Sequence, residues 1–339
     1  MRIGITYDLK SDALPPLGAP DDYQEEFDSP ATVEAVAAVL RDLGHDIVKL
    51  GDGREMLQSL LADPPDFVFN FAEGQGIGRS REARVPAVLE MLGIPHTGSD
   101  PLTLAATLDK DCAKRLVQSA GGQVPRWTVI QPTDDISELT TESWLPYTAI
   151  VKPAWEGSSK GIRGRCVVDD AASCVAAVEA VRRDQLQPVL VEEYIEGDEL
   201  TVGVIGNDPA RIIGVMRVLP KRQTDRFIYS LEVKRDWRNQ VRYECPALLQ
   251  SNQVQAVEQA ALLAYRALGC RDIARVDFRL RGGIPYFLEV NPLPGLNPDT
   301  GDVVIMARLS GWTYDQLIGG IFEAAVDRCN HTMHSVIAT

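Results

Sequence analysis

The 339-residue sequence is poor in the features that mark metal-finger, disulfide-bonded, membrane and nucleic-acid-binding proteins. Its six cysteines and four histidines form neither a CxxC pair nor a zinc-ligand spacing. No apolar run approaches the roughly 18 residues of a membrane helix, and the apolar start reaches Asp8 too early for a signal peptide. A formal net charge of −14 without a Lys/Arg block disfavours nucleic-acid and anionic membrane surfaces. We therefore expect a cytoplasmic protein with reduced thiols that binds neither nucleic acid nor membrane.

The sequence has the composition of a globular protein, with 45% hydrophobic and 24% charged residues. At about 150 residues per domain, the length predicts two or three domains. Strand and helix signals alternate over residues 1–98, which predicts a parallel sheet covered by helices on both faces. We predict a fold of α/β and α+β parts: an N-terminal domain over 1–98, a small central domain over 99–186, a β-rich domain over 187–330 and a polar tail over 331–339.

Local patterns predict the individual elements. Ser29 followed by Pro30 is typical of a helix start. Predicted helices lie near 30–43, 55–61, 81–92, 102–120, 171–183, 252–268 and 314–326. Predicted strands outside the β-rich domain lie near 2–7, 45–50, 66–71, 94–97, 127–130, 147–153 and 162–168.

Residues 274–291 alternate apolar and polar side chains and predict a β-hairpin. A two-residue Gly-Gly turn would pair position 277 with 288 and mix apolar with polar side chains. A three-residue loop over 281–283 would pair 275 with 289 and 277 with 287, placing all the even-numbered apolar residues in the core. We therefore predict the three-residue loop, with Arg275, Asp277, Glu289 and Asn291 together on the other face.

That polar face has the chemistry of a magnesium and phosphate site. Asp277, Glu289 and Asn291 supply the hard oxygen ligands that Mg²⁺ prefers, and Arg275 supplies positive charge for a phosphoryl group. On this stretch alone, a solvated polar face with incidental salt bridges is an equal alternative.

Two further stretches have nucleotide-binding features. A strand delivers Lys152 into a loop over 154–161 that contains two glycines and two serines, small residues that let backbone N–H groups approach phosphates. The strand over 189–194 ends in acids and turns at Glu196–Asp198, where a carboxylate can accept hydrogen bonds from a ribose or an amino group. Taken singly, a flexible hairpin loop and an exposed turn explain these two stretches equally well or better.

In their order along the chain, these motifs resemble the ATP-grasp ligases, and most closely the D-alanine–D-alanine ligase family. The resemblance covers nearly the whole chain and implies an ATP-grasp fold behind an N-terminal parallel-sheet domain. It rests on Lys110, Lys152, Glu156, the Ser158–Gly161 loop, Glu192 with Glu199, Lys234, Arg275 with Asp277, and Glu289 with Asn291, Pro294 and Gly295.

The resemblance implies a role for each of these positions. Lys110 and Lys152 would hold the ATP phosphates, and the loop with Glu156, Ser158, Ser159 and Gly161 would fold over them. Glu192, Glu193, Ile195 and Glu199 would hold adenine and ribose. Asp277, Glu289 and Asn291 would bind two Mg²⁺ ions, with Mn²⁺ as an alternative. Arg275 would stabilise the acyl-phosphate and tetrahedral states, helped by the Gly295 N–H, and Lys234 would close on the γ-phosphate. Ser158 is a further catalytic residue that the resemblance implies.

The positions expected to bind the amino-acid substrate depart from the family pattern. Glu26 or Asp28 would bind a substrate ammonium, and a family His-Gly stretch is replaced by one containing Glu73, Arg79 and Arg81. The Lys-Tyr pair of dipeptide-forming members is here Lys234-Arg235. Arg79, Arg81 and Arg235 are each candidates to bind a substrate carboxylate bidentately, or are solvated surface arginines.

The function implied is ATP- and Mg²⁺-dependent joining of amino acids or small peptides through an acyl-phosphate, by a protein that is a homodimer. The alternatives are an authentic D-alanine–D-alanine or D-lactate ligase, and an ATP-binding module that no longer catalyses. An NAD-dependent dehydrogenase is disfavoured because the glycines at 74, 76 and 78 lack the GxGxxG spacing.

Overall fold

The computed structural model describes residues 1–11, 19–136, 148–224 and 226–337. The first part of the chain alternates strands with helices: β1 (Arg2–Thr6), α1 (Pro30–Asp42), β2 (Asp46–Lys49), α2 (Gly53–Ala62), β3 (Phe67–Asn70) and α3 (Arg84–Met91). The three strands form a parallel sheet in the order β2-β1-β3. The predicted strand at 94–97 is reduced to a single parallel bridge between Val68 and His96.

Helix α1 begins where the sequence predicts. Ser29 is its N-cap and accepts a hydrogen bond from the Thr32 N–H at 3.2 Å, with Pro30 at the first helical position. Its buried Val33 and Leu40 pack on one face of the parallel sheet, while α2 and α3 cover the other face. Both faces of the sheet are therefore covered, as its apolar strands require.

The middle of the chain forms an antiparallel sheet behind two short helices. Its elements are α4 (Pro101–Leu108), α5 (Lys110–Ser119), β4 (Trp127–Ile130), β5 (Ala149–Pro153), β6 (Val167–Val168), α6 (Ala171–Gln185) and β7 (Val189–Glu193). The strand order is β4-β7-β5-β6. Tyr147, the first residue of the strand predicted over 147–153, lies outside the described residues. The strand predicted over 162–168 is wrong for most of its length, because Gly164–Cys166 form a 3-10 helix.

The C-terminal part is a five-stranded antiparallel sheet with helices. Its elements are β8 (Asp198–Ile205), β9 (Arg211–Pro220), α7 (Leu231–Arg235), α8 (Trp237–Gln240), β10 (Val241–Glu244), α9 (Ser251–Ala267), β11 (Ile273–Arg281), β12 (Ile284–Asn291), α10 (Asp302–Leu309) and α11 (Tyr314–Ile337). The strand order is β10-β9-β8-β11-β12. The core beneath this sheet joins α9 to Ala113 and Val117 of α5.

The hairpin of β11 and β12 differs from the three-residue loop predicted for it. Arg281 pairs with Ile284, so the turn is the two-residue Gly282-Gly283. A β-bulge at Leu288 then shifts the register, and Asp277 lies opposite Glu289. The bulge places Phe287 in the core and leaves Ile284 exposed, so the predicted core face of β12 is wrong at these positions. The polar face survives, since Arg275 pairs with Asn291.

Two predicted helices also differ. The helix expected over 102–120 is interrupted at Asp109, whose extended backbone ends α4 and whose carboxylate caps α5 through the Asp111 and Cys112 N–H groups. The last helix continues to Ile337, so most of the predicted tail is helical; residues 338 and 339 lie outside the described residues. Within those residues no helix is both long and apolar enough to cross a membrane.

The predicted domain boundaries stay a proposal. Pairing places β7 in the central sheet, so we propose to move the boundary at 186/187 to about residue 195. Helix α11 returns to pack on α1, which joins the end of the chain to the N-terminal sheet.

Candidate active site

A cavity lies between the four-stranded and the five-stranded sheet, and we call it the intersheet cavity. Ten of the predicted site residues line it: Lys152, Ser159, Glu192, Glu193, Ile195, Glu199, Lys234, Arg275, Asp277 and Glu289. Its apolar walls are Ile150, Ile162, Leu200, Val218, Ile228 and Leu288. Apolar walls with a charged end suit a ligand that combines a flat apolar ring with anionic groups.

The charged end of this cavity is the hairpin face. Arg275 contacts Asp277 at 2.9 Å and Asp302, the first residue of α10, at 3.5 Å. Glu289 contacts Lys110 at 3.1 Å. Burial raises the pKa of Glu289, but Lys110, Lys152, Arg275 and Lys234 outweigh that effect and hold it well below its ordinary value. Glu289 is therefore an anion at neutral pH.

The donor set of this face fits a magnesium ion. Asp277 and Glu289 lie opposite each other across the hairpin, two residues from Asn291, and two carboxylates with an amide oxygen are hard ligands. In the described residues no three His, Cys, Asp or Glu side chains are gathered as a metal cluster. Instead, Arg275 and Lys110 neutralise the two carboxylates.

Two lysines enclose Glu192 on β7. Its carboxylate contacts Lys152 at 2.6 Å and Lys114 at 2.9 Å, and all three side chains are buried. Burial lowers the pKa of Lys114 to about 8, an effect that Glu192 opposes and Lys152 strengthens. Both oxygens of Glu192 are engaged by lysines, so its contact with a nucleotide stays a prediction, whereas Lys152 is oriented into the cavity.

The loop after β5 contacts the segment before α7. Ser158 and Ser159 have φ values of +48° and +60°, a left-handed backbone that non-glycine residues adopt only where the surroundings enforce it. The Ser159 hydroxyl donates to the Tyr229 carbonyl at 3.0 Å, and the Leu231 N–H donates to the Ile162 carbonyl at 3.1 Å. The two segments therefore meet over the cavity that Ser159 and Tyr229 line.

A second, smaller cavity adjoins the first across Glu289, and we call it the acidic cavity. It is lined by Glu26, Glu73, Glu82, Thr107, Leu108, Lys110, Glu156, Gly157, Ser158, Glu289, Val290, Asn291 and Pro292. Glu289 lines both cavities, and Lys110 lies beside it. A group bound in one cavity therefore lies next to a group bound in the other.

Four buried charges join the N-terminal domain to the loop after β5. Arg81 contacts Glu26 at 2.9 Å and Glu156 at 3.1 Å, and Lys160 contacts Glu156 at 2.5 Å and Glu26 at 3.3 Å. The Gly157 N–H donates to Glu26 at 2.8 Å. We call this the four-charge network. Arg81 and Glu26, both predicted to bind substrate, instead form an ion pair with each other, and Arg81 is only 1% exposed.

The remaining predicted substrate residues do not line either cavity. Arg79 is largely exposed and contacts Asp109 at 2.9 Å, and Arg235 contacts Glu25 at 2.8 Å. Burial raises the pKa of Asp28 to about 6. Gly295 is an exposed residue of the partly buried loop between β12 and α10, and Gly161 lies against Pro153.

Sequence reasoning missed several charged and polar residues at these cavities, among them Asp302, Tyr229, Arg279 and Glu82. It also missed Lys114, which contacts Glu192. The position of Lys114, four residues after Lys110 on a helix, indicates a shared face and could have revealed it. Nothing in the local pattern marks Glu82, which reaches its cavity only through the packing of the N-terminal domain.

Comparisons with known proteins agree with this architecture. The family model described as D-ala D-ala ligase C-terminus matches residues 116–323. The D-alanine--D-alanine ligase of Aquifex aeolicus is 32% identical over 289 residues, which cover 85% of this chain and 92% of that protein. The uncharacterized protein y4sG of Sinorhizobium fredii is 32% identical over 305 residues, 86% of each chain.

A solved structure shares the fold over almost the whole length. The D-alanine--D-alanine ligase from Bacillus anthracis superimposes with a TM-score of 0.74 at 25% sequence identity, covering 98% of this chain and 99% of that one. Two antiparallel sheets around a charged cavity, behind a parallel-sheet domain, thus define an ATP-grasp ligase. The chain belongs to the D-alanine–D-alanine ligase family, and its class is that of ATP-dependent ligases that form a carbon–nitrogen bond.

Proposed function

We propose that this protein joins two amino acids or small peptides, using ATP to activate the carboxylate of one of them. The observation that carries the proposal is Glu289, which lines both the intersheet cavity and the acidic cavity with Lys110 beside it. A phosphoryl donor in the first cavity and a carboxylate in the second would meet at this point.

The intersheet cavity is the proposed nucleotide site. Ile150, Leu200 and Leu288 would offer apolar surface to the adenine ring. The backbone from Glu193 to Ile195 and the Glu199 carboxylate would form hydrogen bonds with the polar groups of adenine and ribose; Glu193, Ile195 and Glu199 line this cavity. Lys152 would bind phosphate oxygens, as would Lys110 once it releases Glu289. Ser158 and Ser159 present a backbone curved in the left-handed region, where successive N–H groups can converge on an anion.

Asp277, Glu289 and Asn291 are the proposed magnesium ligands, and we propose two ions. Bound there, magnesium would neutralise charge on the transferring phosphoryl group. The chain's own contribution is to present three oxygen donors on one face of a rigid hairpin and to hold Glu289 ionised with surrounding cations.

The residues at the junction of the cavities supply positioning and charge stabilisation. The substrate carboxylate oxygen attacks the γ-phosphorus and ADP leaves; the second substrate's amine then attacks the acyl carbon, and phosphate leaves with that oxygen. Arg275, fixed by Asp277 and Asp302, would stabilise the negative charge that develops on the phosphoryl and tetrahedral oxygens. We propose that Lys234, the Ser158 loop and the Gly295 N–H assist it.

The choice of substrates follows from the acidic cavity. Several relatives are named D-alanine--D-alanine ligase. The alternative proposal is therefore that both substrates are D-alanine. The lining of this cavity favours a substrate other than D-alanine. Glu73 and Glu82 place carboxyl groups in the cavity, and the small neutral side chain of alanine would not need them. We also propose a homodimer.

The test is release of ADP by the purified protein with ATP, Mg²⁺ and a panel of D- and L-amino acids, singly and in pairs. We expect ADP release that depends on an amino acid and on Mg²⁺. Robust turnover with D-alanine alone would establish the authentic D-alanine ligase. ATP binding without turnover on any member of the panel would establish the catalytically silent module.

A further inference from the structure

The acidic cavity is lined by more acidic than basic side chains. Five carboxylates line it, and the cations within contact distance of them are Lys110, Arg81 and Lys160. Arg81 and Lys160 form ion pairs with Glu26 and Glu156 within the four-charge network, and Lys110 forms an ion pair with Glu289. Glu73 and Glu82 are therefore the two surplus carboxylates.

Glu73 and Glu82 are buried and have no partner among the described residues. Their exposed fractions are 9% and 6%, and neither side chain makes a hydrogen bond or an ion pair there. Both line the cavity. Burying an unpartnered carboxylate costs free energy, and an isolated pair of them has no structural use that the fold reveals.

The groups that face these two carboxylates explain why no internal cation neutralises them. Glu73 faces Glu82, Glu26, Arg81 and Asp28, while Glu82 also faces Lys110 and Glu156. Burial is the largest influence on each and raises the pKa of both carboxyls, that of Glu82 to about 8. Arg81 opposes the rise, but its guanidinium already serves Glu26 and Glu156.

We propose that Glu73 and Glu82 form a subsite for a cationic substrate side chain, so that one substrate of this ligase is a basic amino acid. The carboxylate of this amino acid would lie toward Lys110 and Asn291. Its α-ammonium and its side-chain cation would lie toward Glu73 and Glu82. A neutral amino acid carries only the first of these positive charges and would leave one carboxylate unpartnered. This inference rests on the proposed ligase function and adds the class of its substrate.

The test measures binding separately from turnover. Isothermal titration calorimetry on the full chain, with Mg²⁺ and a non-hydrolysable ATP analogue, compares lysine with norleucine and ornithine with norvaline, each in both enantiomers. The two members of each pair have the same carbon chain and differ only in the terminal ammonium group of the side chain. We expect at least one basic amino acid to bind tenfold or more tightly than its neutral partner, since a hydrogen bond to a charged group contributes about that much.

Two substitutions and one control assign the preference to this subsite. In Glu82→Gln and in Glu73→Gln the ratio of the two affinities should fall toward unity, and in turnover the effect should be on KM rather than kcat. Glu90→Gln makes the same chemical change on the exposed side of α3 and should leave the ratio unchanged. Gln has the shape of Glu, and thermal unfolding checks that each variant is folded.

The outcomes separate this inference from the function on which it rests. Equal or tighter binding of the neutral partners, no binding of any basic amino acid, or an unchanged ratio in both variants would overturn the subsite. ADP release with neutral amino acids alone would do so while leaving the ligase function standing. Selective binding of a basic amino acid without ADP release would support the subsite and count against the ligase function.

Discussion

At the scale of single residues, Glu289 is the group on which both cavities depend. Lys110 contacts it at 3.1 Å, and Lys152, Arg275 and Lys234 lie close enough to lower its pKa. These cations are the same ones proposed to receive phosphate oxygens. The cations that would bind the phosphates are therefore already gathered before a nucleotide binds, and Glu289 neutralises part of their charge until then.

Replacing Glu289 with glutamine tests that role. Glu289→Gln removes one negative ligand from the proposed magnesium site, and we expect the rate of ADP release to fall by about a hundredfold or more. Glu323→Gln, on the exposed side of α11, is the matched control and should keep the rate. Normal activity in Glu289→Gln would show that the metal assignment is wrong.

The raised pKa of Glu82 makes the free energy of unfolding depend on pH. Its folded-state pKa is raised from 4.5 to about 8 by burial, with Arg81 opposing and Glu26 adding to the rise. Between these two pKa values the folded state binds more protons than the unfolded state, so this group's contribution to stability is complete below about pH 4.5 and is lost as the pH rises toward 8.

We therefore expect Glu82→Gln to unfold at a higher temperature than the wild type at pH 8, by several degrees, and the difference to shrink at pH 5. Differential scanning calorimetry at the two pH values measures this. A higher unfolding temperature for the wild type at pH 8 would contradict a buried carboxyl with a raised pKa.

At the scale of elements, the conformation of the loop after β5 depends on Gly161. Gly161 has φ +70°, and a Cβ there would lie 2.5 Å from Pro153 Cγ. Gly121 has φ +93° but open space around its Cβ position. Both Gly→Ala variants incur the cost of a left-handed backbone, about 1–2 kcal/mol, but only Gly161→Ala adds a clash.

We expect Gly161→Ala to raise the KM for ATP severalfold and to lower the unfolding temperature more than Gly121→Ala does. The reason is that a displaced Gly161 would move Ser159, which lines the intersheet cavity. Steady-state kinetics of both variants provide the measurement. Equal KM values would show that the loop does not contact the nucleotide.

The elements also show where sequence patterns succeed and where they fail. Alternation predicted the β11–β12 hairpin and its polar face, because side-chain period follows from strand geometry. It missed the bulge at Leu288, since a bulge depends on tertiary packing: here Phe287 enters the core and Leu288 lines the cavity. The break at Asp109 was missed because helix propensity continues across it, while the Asp109 carboxylate competes locally by capping the start of α5.

At the scale of the whole molecule, the ordered motifs predicted the family and the positions that line the intersheet cavity. Contacts between domains could not be predicted in this way. Local sequence patterns assign Arg81 and Glu26 to substrate binding, whereas each is engaged in the four-charge network. Such pairing depends on contacts between residues up to 134 positions apart, which no local pattern contains.

The four-charge network predicts a large effect on global stability. Arg81→Met leaves Glu26 and Glu156 with Lys160 alone, and breaking a buried ion pair costs about 3–5 kcal/mol. Denaturant unfolding should show a loss of that order. Arg41→Met, which breaks an exposed pair with Glu34, should change the unfolding free energy little. Similar effects of both substitutions would contradict a stabilising role for the network.

The most direct measurement of the central claim follows the oxygen atoms of the substrate carboxylate. An amino acid that drives ADP release is labelled with ¹⁸O in its carboxylate, and the released phosphate is analysed by mass spectrometry. Activation by ATP predicts one ¹⁸O atom in phosphate for each amide formed, because phosphate leaves with the carboxylate oxygen that attacked it. Phosphate without ¹⁸O would mean that ATP is hydrolysed by water, and would contradict the account of this protein as a carboxylate–amine ligase.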